Sequence, residues 1–333
     1  MKGGSRNHII ALVLILAITT GVFAFAFNQI NQAPQAEPDY GLTFSIVYAE
    51  QLGLDYQEVY KALVEDLGVS RVRLPIYWSE VESDPRNSNW EVYDWLFEYS
   101  ENHNVELIPV VGSKVPRWPE CFIPYWVEKL NTTYQHKELL KFMKYSVERY
   151  KDSESVIRWQ VENEPFFPFG ECPTVSSEQF QQRVELVRSL DDKPIQVTVS
   201  GEVGPWLDSA QAADVLGISM YRQTWNDLFG YFVYPISPEF YFFRAGLVAP
   251  YVDKVIVSEL QAEPWFPEAI ENRTPAKWYE SFTAEMFQNN LDFAIQSGLS
   301  EAYLWGAEWW YAMKEAGDNR LWEVAEDVFN KID

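Results

Sequence analysis

From residue 40 onward, short apolar or β-branched runs alternate with longer stretches in which apolar residues recur every three or four positions. The runs are Gly41–Tyr48, Val69–Tyr77, Val105–Val111, Ile157–Val161, Ile195–Ser200, Val215–Tyr221, Lys254–Glu259 and Glu301–Trp305. They lack strict polar–apolar alternation, which predicts strands buried on both faces, as in a parallel sheet. The stretches between them include Tyr56–Leu67, Val92–Asn102, Lys137–Tyr150, Ser177–Leu190 and Lys277–Ser297, whose period predicts amphipathic helices. Eight such units favour an α/β fold, a single (β/α)8 TIM barrel over residues 40–333. An open doubly wound sheet is the competing arrangement, but no strand is followed by a GxGxxG or GxxxxGK[ST] loop, and no cofactor is expected. Gly201–Ala213 has room for only a short helix, and Arg222–Tyr251 is long, aromatic and interrupted by prolines, which predicts an elaborated loop.

Ahead of the barrel the pattern changes. A basic flank (residues 1–8, with Lys2 and Arg6) precedes an uncharged apolar run, residues 9–27, followed by a polar, proline-containing linker over residues 28–39. A basic flank and apolar core mark an export signal or membrane anchor, and a run of this length is about enough to span a bilayer as a helix. The reading favoured is an uncleaved transmembrane signal-anchor, with the catalytic domain outside the cytoplasm. Ala24-Phe25-Ala26 has the small-x-small form of a cleavage site, which would make the domain a secreted one. Cys121 and Cys172, the two cysteines, are either free thiols or one disulfide; the strand assignment sets them in adjacent loops on one face of the barrel.

The net charge of −23 is spread along the chain and argues against nucleic acid as a partner, since phosphate binding needs clustered Lys and Arg. Aromatic content is high, with 14 Trp, and Trp118, Trp126, Trp206, Trp225, Trp265, Trp309 and Trp310 fall in expected loops. Loop aromatics near polar groups suggest platforms for flat apolar faces of a ligand, sugars among them.

A barrel of this kind builds its site at the C-terminal strand ends. Those ends carry Arg73, Asn163-Glu164-Pro165, Tyr221, Glu259 and Trp305. Two carboxylates facing each other across one mouth are what retaining glycoside hydrolysis requires, one as acid and one as nucleophile, about 5–5.5 Å apart. Glu162 and Glu263 compete for those roles in the same segments, and Arg71 shares a strand face with Arg73.

The runs RVRLPIYWSEVE (71–82), WQVENEP (159–165), ISMY (218–221) and VIVSELQAEPW (255–265) resemble those of clan A glycoside hydrolases of the family 5, 10, 39 and 42 type. The resemblance implies a TIM barrel that cleaves β-linked oligo- or polysaccharides with retention. It assigns Glu164 as acid/base and Glu259 as nucleophile, with Arg73, Asn163 and Tyr221 around them and Trp305 as the floor of the reacting-sugar subsite. The chain departs from the clan at the third strand, where several families carry His; here Gly112-Ser113-Lys114 stands, and Lys114 or Ser113 is expected to take over that sugar contact. Trp118, just beyond, reads as substrate-side loop.

Two other classes stay open: a non-catalytic carbohydrate-binding barrel, and a metal-dependent barrel such as a sugar isomerase. The second needs converging His and carboxylates, and His8, His103 and His136 are the only histidines, so no metal is expected. Sugar, linkage and endo or exo action are not legible, nor is the choice between hydrolysis and transglycosylation.

Overall fold

The computed structural model describes residues 34–330. Eight parallel strands close into a barrel: β1 (Asp39–Thr43), β2 (Arg71–Pro75), β3 (Glu106–Val111), β4 (Trp159–Val161), β5 (Ile195–Ser200), β6 (Val215–Met220), β9 (Lys254–Gln261) and β10 (Glu301–Trp305). Each pairs with its sequence neighbours, and β1 closes on β10, with Thr43 opposite Trp305 on one side and Arg73 on the other. The continuous apolar runs become strands covered on both faces, as buried parallel strands must be.

Helices pack outside on their apolar stripes, chiefly α2 (Tyr56–Lys61), α4 (Glu91–Asn102), α6 (Thr132–Tyr150), α7 (Ser177–Leu190) and α11 (Ala284–Ser297), while α3 (Trp78–Val81), α5 (Tyr125–Glu128) and α8 (Leu207–Ala210) are single turns. Two of the expected boundaries differ. Gly41–Tyr48 is not one strand: β1 stops at Thr43, and Ser45 accepts a hydrogen bond from the Tyr48 amide to cap α1 (Ile46–Gln51). Lys277–Ser297 is not one helix: α10 (Pro275–Ser281) ends before Phe282, and Thr283 caps α11 anew by accepting from the Met286 amide. Within Arg222–Tyr251 lie an antiparallel hairpin, β7 (Gln223–Asn226) and β8 (Gly230–Val233), and α9 (Pro238–Val248).

A polar column runs up the barrel interior. Arg158 bonds Glu301 at 2.6 Å and Gln196 at 2.8 Å. Gln196 in turn donates to Gln160 at 2.8 Å, and Arg73 donates to the same Gln160 oxygen at 2.7 Å. Buried polar groups are tolerated because each finds a partner, and this column carries order from the barrel base to the mouth.

Among the described residues no helix is long and apolar enough to cross a membrane. The expected anchor, residues 9–27, lies outside the described residues, as does the linker up to residue 33.

Candidate active site

Glu164 and Glu259 meet at the C-terminal mouth and line one cavity of about 380 Å³. The chain turns sharply after β4: Glu162 and Glu164 both have left-handed backbone, with φ of 60° and 43°. Such conformations cost energy in non-glycine residues and persist where the surroundings fix them. Here the Glu162 carboxylate accepts from the amides of Ser113 and Lys114 at 3.0 and 2.8 Å and from Arg183 at 2.6 Å, and is fully buried. Glu162 therefore ties β4 to the loop after β3. Gly112 is required beside it, because a Cβ there would stand 2.5 Å from the Glu162 carboxyl carbon at a φ of +154°.

The nucleophile candidate is held from two sides. Arg73 donates from Nη1 to Glu259 Oε1 at 2.9 Å, and the Tyr221 hydroxyl donates to Oε2 at 3.0 Å. Arg73 Nη2 also donates to Asn163 Oδ1 at 2.7 Å, so one guanidinium joins the ends of β4 and β9. β9 carries an extra residue against β6, where Ile218 pairs with Val257 but Ser219 with Glu259, and it is shifted against β10 as well. A bulge of this kind re-aims a side chain. Arg71 is at the far end of its strand, paired with Glu106 at 2.6 Å.

Glu164 sits in a different environment. The Ser219 hydroxyl donates to Glu164 Oε1 at 2.8 Å, and the Glu164 amide donates to Thr198. Burial, then the negative charges of Glu259 and Glu120, raise its carboxyl to about 8. A buried acid beside another carboxylate keeps its proton near neutral pH.

Several groups at the mouth carry no sequence signal. Glu120 lines the same cavity, pairs with Lys114 at 3.2 Å and accepts from Asn163 Nδ2 at 3.4 Å. Burial raises it to about 7, against the pull of Lys114. Of this pair Glu120, rather than Asn163, faces the cavity. Lys114 is buried behind Glu120; its amine also donates to the carbonyls of Glu164 and Phe167, bracing the loop after β4. Ser113 accepts from Arg183 and is likewise engaged within the protein.

Trp305 is at the mouth, but its ring lies 4.2 Å from the Arg117 guanidinium, which stacks on Tyr48 at 3.7 Å and pairs with Glu263 at 2.6 Å and Glu308 at 3.7 Å. Glu263 is thus an ion-pair partner of Arg117. Gly306 makes room for it, since a Cβ there would meet Glu263 Cβ at 2.6 Å. Trp118 is 55% exposed and packs edge-on against Phe169. Trp225 and Trp265 line the cavity, whereas Trp206, Trp309 and Trp310 are core residues, the last two on α12 (Ala307–Glu315). Cys121 and Cys172 are bonded, with Cα atoms 5.2 Å apart, joining the loops after β3 and β4 that carry Glu120 and Glu164. Among the described residues no group of three or more His, Cys, Asp or Glu side chains is arranged to hold a metal ion.

Barrel and mouth together define an α/β barrel with its candidate site at the C-terminal strand ends. No protein-family model matches the sequence, and no curated protein matches it. Solved structures do match the fold. A β-galactosidase from the psychrophilic Marinomonas ef1 is 12% identical, with a TM-score of 0.54, over 88% of this chain and 59% of its own. A GH5_18 protein from Bifidobacterium longum is 14% identical, with a TM-score of 0.54, over 81% of this chain and 70% of its own. A glycoside hydrolase family 10 endo-β-1,4-xylanase from Gloeophyllum trabeum is 14% identical, with a TM-score of 0.52, over 82% of this chain and 86% of its own. The chain has the barrel fold that these glycoside hydrolases share, and it spans less than two thirds of the length of the β-galactosidases it matches.

Proposed function

We propose that this chain is a retaining β-glycoside hydrolase, with Glu164 as acid/base and Glu259 as nucleophile. The carrying observation is the contrast between two carboxyls in one cavity. Glu259 accepts from Arg73 and Tyr221, whereas Glu164 is held in its protonated form by burial and by the charge of Glu259. Carboxyls whose environments push them apart divide into acid and nucleophile.

In the first step Glu259 attacks the anomeric carbon while Glu164 gives its proton to the leaving oxygen. The glycosidic bond breaks, the alcohol departs, and a glycosyl ester forms on Glu259. Esterification removes the Glu259 charge, which lowers the proton affinity of Glu164 and suits it to act next as base. Water then gives its proton to Glu164 and attacks the anomeric carbon. The ester bond breaks, releasing the sugar with its original configuration. An alcohol acceptor in place of water would give transglycosylation by the same residues.

The similar folds of a β-galactosidase, a family 5 protein and a xylanase support a carbohydrate substrate. A non-catalytic binding barrel would have no use for the matched pair. Residues 9–27 remain the proposed membrane anchor, and the Cys121–Cys172 disulfide supports a domain outside the cytoplasm.

The test is a screen of aryl β-glycosides with the wild type, Glu164→Ala and Glu259→Ala. Both variants should lose hydrolysis. Azide should restore turnover of activated substrates in each, giving the β-glycosyl azide with Glu164→Ala and the α-azide with Glu259→Ala. Wild-type rates in either variant would refute the assignment.

A further inference from the structure

The cavity is not spread evenly about the two carboxyls. On the Trp305 side the space is filled by the Arg117, Glu263 and Glu308 cluster. Most of the cavity lining comes instead from β4, β5, β6 and the loops that follow them, completed by Glu120, Glu259 and Trp265, so it extends past Glu164 toward the hairpin. The acid must stand beside the leaving oxygen, so the open space on its side receives the leaving group.

The walls there are mainly carbon. Phe167, Phe169, Trp225, Phe229, Phe232 and Trp265 line them. Four of these six are phenylalanines, which bury apolar surface and offer no hydrogen bond. Ring follows ring outward: Tyr221 to Trp265 at 5.7 Å, Trp265 to Phe169 at 6.0 Å, Phe169 to Trp118 at 5.9 Å. The hairpin tip extends the apolar rim, with Leu228 80% and Phe229 72% exposed.

Three of the polar side chains on this side are committed within the protein, while the Thr224 and Tyr234 hydroxyls and the Trp225 and Trp265 indole N–H groups are open to a ligand. Ser219 donates to Glu164. Glu202 accepts from the Tyr221 amide and the Tyr241 hydroxyl, and Asn226 Oδ1 accepts from two amides of its own turn. A second sugar would set hydroxyls against the faces of these six rings, four of which offer no hydrogen bond, and each hydroxyl buried there unpaired is costly. The ionisable cavity-lining side chains other than tyrosine are all glutamates, Glu120, Glu164, Glu202 and Glu259, so the lining offers an anionic leaving group no cation.

Resting on the hydrolase reading above, we infer that the preferred substrates are β-glycosides with a neutral apolar aglycone, alkyl or aryl, rather than glycosides of a second sugar. Affinity then comes from carbon buried against the hairpin and the loop after β4. Burial of each methylene is worth up to about fourfold in kcat/KM.

The experiment uses the full chain and β-glycosides of several sugars, kept below their micellar concentrations. For each sugar the aglycone is methyl, hexyl, octyl, phenyl or a second sugar. The octyl or phenyl glycoside should exceed both the methyl glycoside and the disaccharide by about tenfold or more in kcat/KM. Phe229→Asp should flatten the dependence on chain length. Disaccharides hydrolysed as well as or better than octyl and phenyl glycosides would overturn the inference. If no member of the series is cleaved, the hydrolase reading fails separately, and quenching of tryptophan fluorescence still reads the cavity. Octyl glycosides should then bind at least about tenfold more tightly than methyl glycosides, and equal affinities would overturn the inference.

Discussion

Arg117 lies over the ring of Trp305, 4.2 Å from its centroid, and is held there by Glu263 at 2.6 Å. The ring face expected to floor a sugar subsite is therefore partly covered by a cation. All four partners around that cation are buried: Tyr48, Glu263, Trp305 and Glu308. The result is a charged, closed wall beside Trp305 and a mainly apolar cavity lined from β4, β5 and β6.

Arg117→Met should be strongly destabilising, because it leaves Glu263 and Glu308 buried without their cation. Removing one member of a buried ionic cluster costs about 3–5 kcal/mol. Urea denaturation at pH 7 should show a loss of that size. It should shrink at lower pH, where the two carboxyls take up protons; a change below about 1 kcal/mol would mean the cluster is solvated.

Tyr221→Phe removes one of the two side-chain donors to Glu259. A hydrogen bond to a charged group is worth about 1.5–3 kcal/mol, so kcat/KM should fall about 10- to 150-fold. Thermal unfolding should change little, which separates loss of positioning from loss of fold.

The pH profile should report Glu164. Its carboxyl is raised to about 8, so the alkaline limb of kcat/KM should fall near that pH as the proton donor is lost. Ser219 donates to the Glu164 carboxylate and so stabilises its ionised form. Ser219→Ala should move the limb to higher pH, and a shift in the opposite direction would contradict this role.

Glu202, in the wall of the same cavity, offers a test read from stability rather than turnover. Burial raises its carboxyl to about 7, against the hydrogen bond from Tyr241. Between the unfolded value, about 4.3, and about 7 the folded state binds more protons than the unfolded one, so stability falls as pH rises through that window. Glu202→Gln removes this loss. Its advantage in unfolding free energy should be nearly absent near pH 4, grow to about 3 kcal/mol by pH 7 and level off above it.

Much of this was legible in residue order. The eight strands were, because a run buried on both faces has few other fates, and their C-terminal ends pointed to Arg73, Glu164, Tyr221 and Glu259. Ser45 was missed as a cap because the apolar run continues through it into Ile46 and Val47. Arg117 and Glu120 were not singled out for a different reason. They sit in the loop after β3 with left-handed backbone, φ of 95° and 68°, and nothing periodic tells which way such residues point. Their partners Glu263, Glu308 and Lys114 are distant in sequence or themselves in loops, so the ionic wall exists only once the barrel closes.

The central claim is that Glu259 forms a glycosyl ester. It is tested most directly by incubating the chain with a panel of 2-deoxy-2-fluoro-β-glycosyl fluorides and mapping the trapped label by peptide mass spectrometry. One label per chain is expected, on Glu259 in the segment Val255–Trp265. A label on Glu120, Glu202 or Glu263, or turnover of a β-glycoside to the inverted sugar with no covalent adduct, would contradict it.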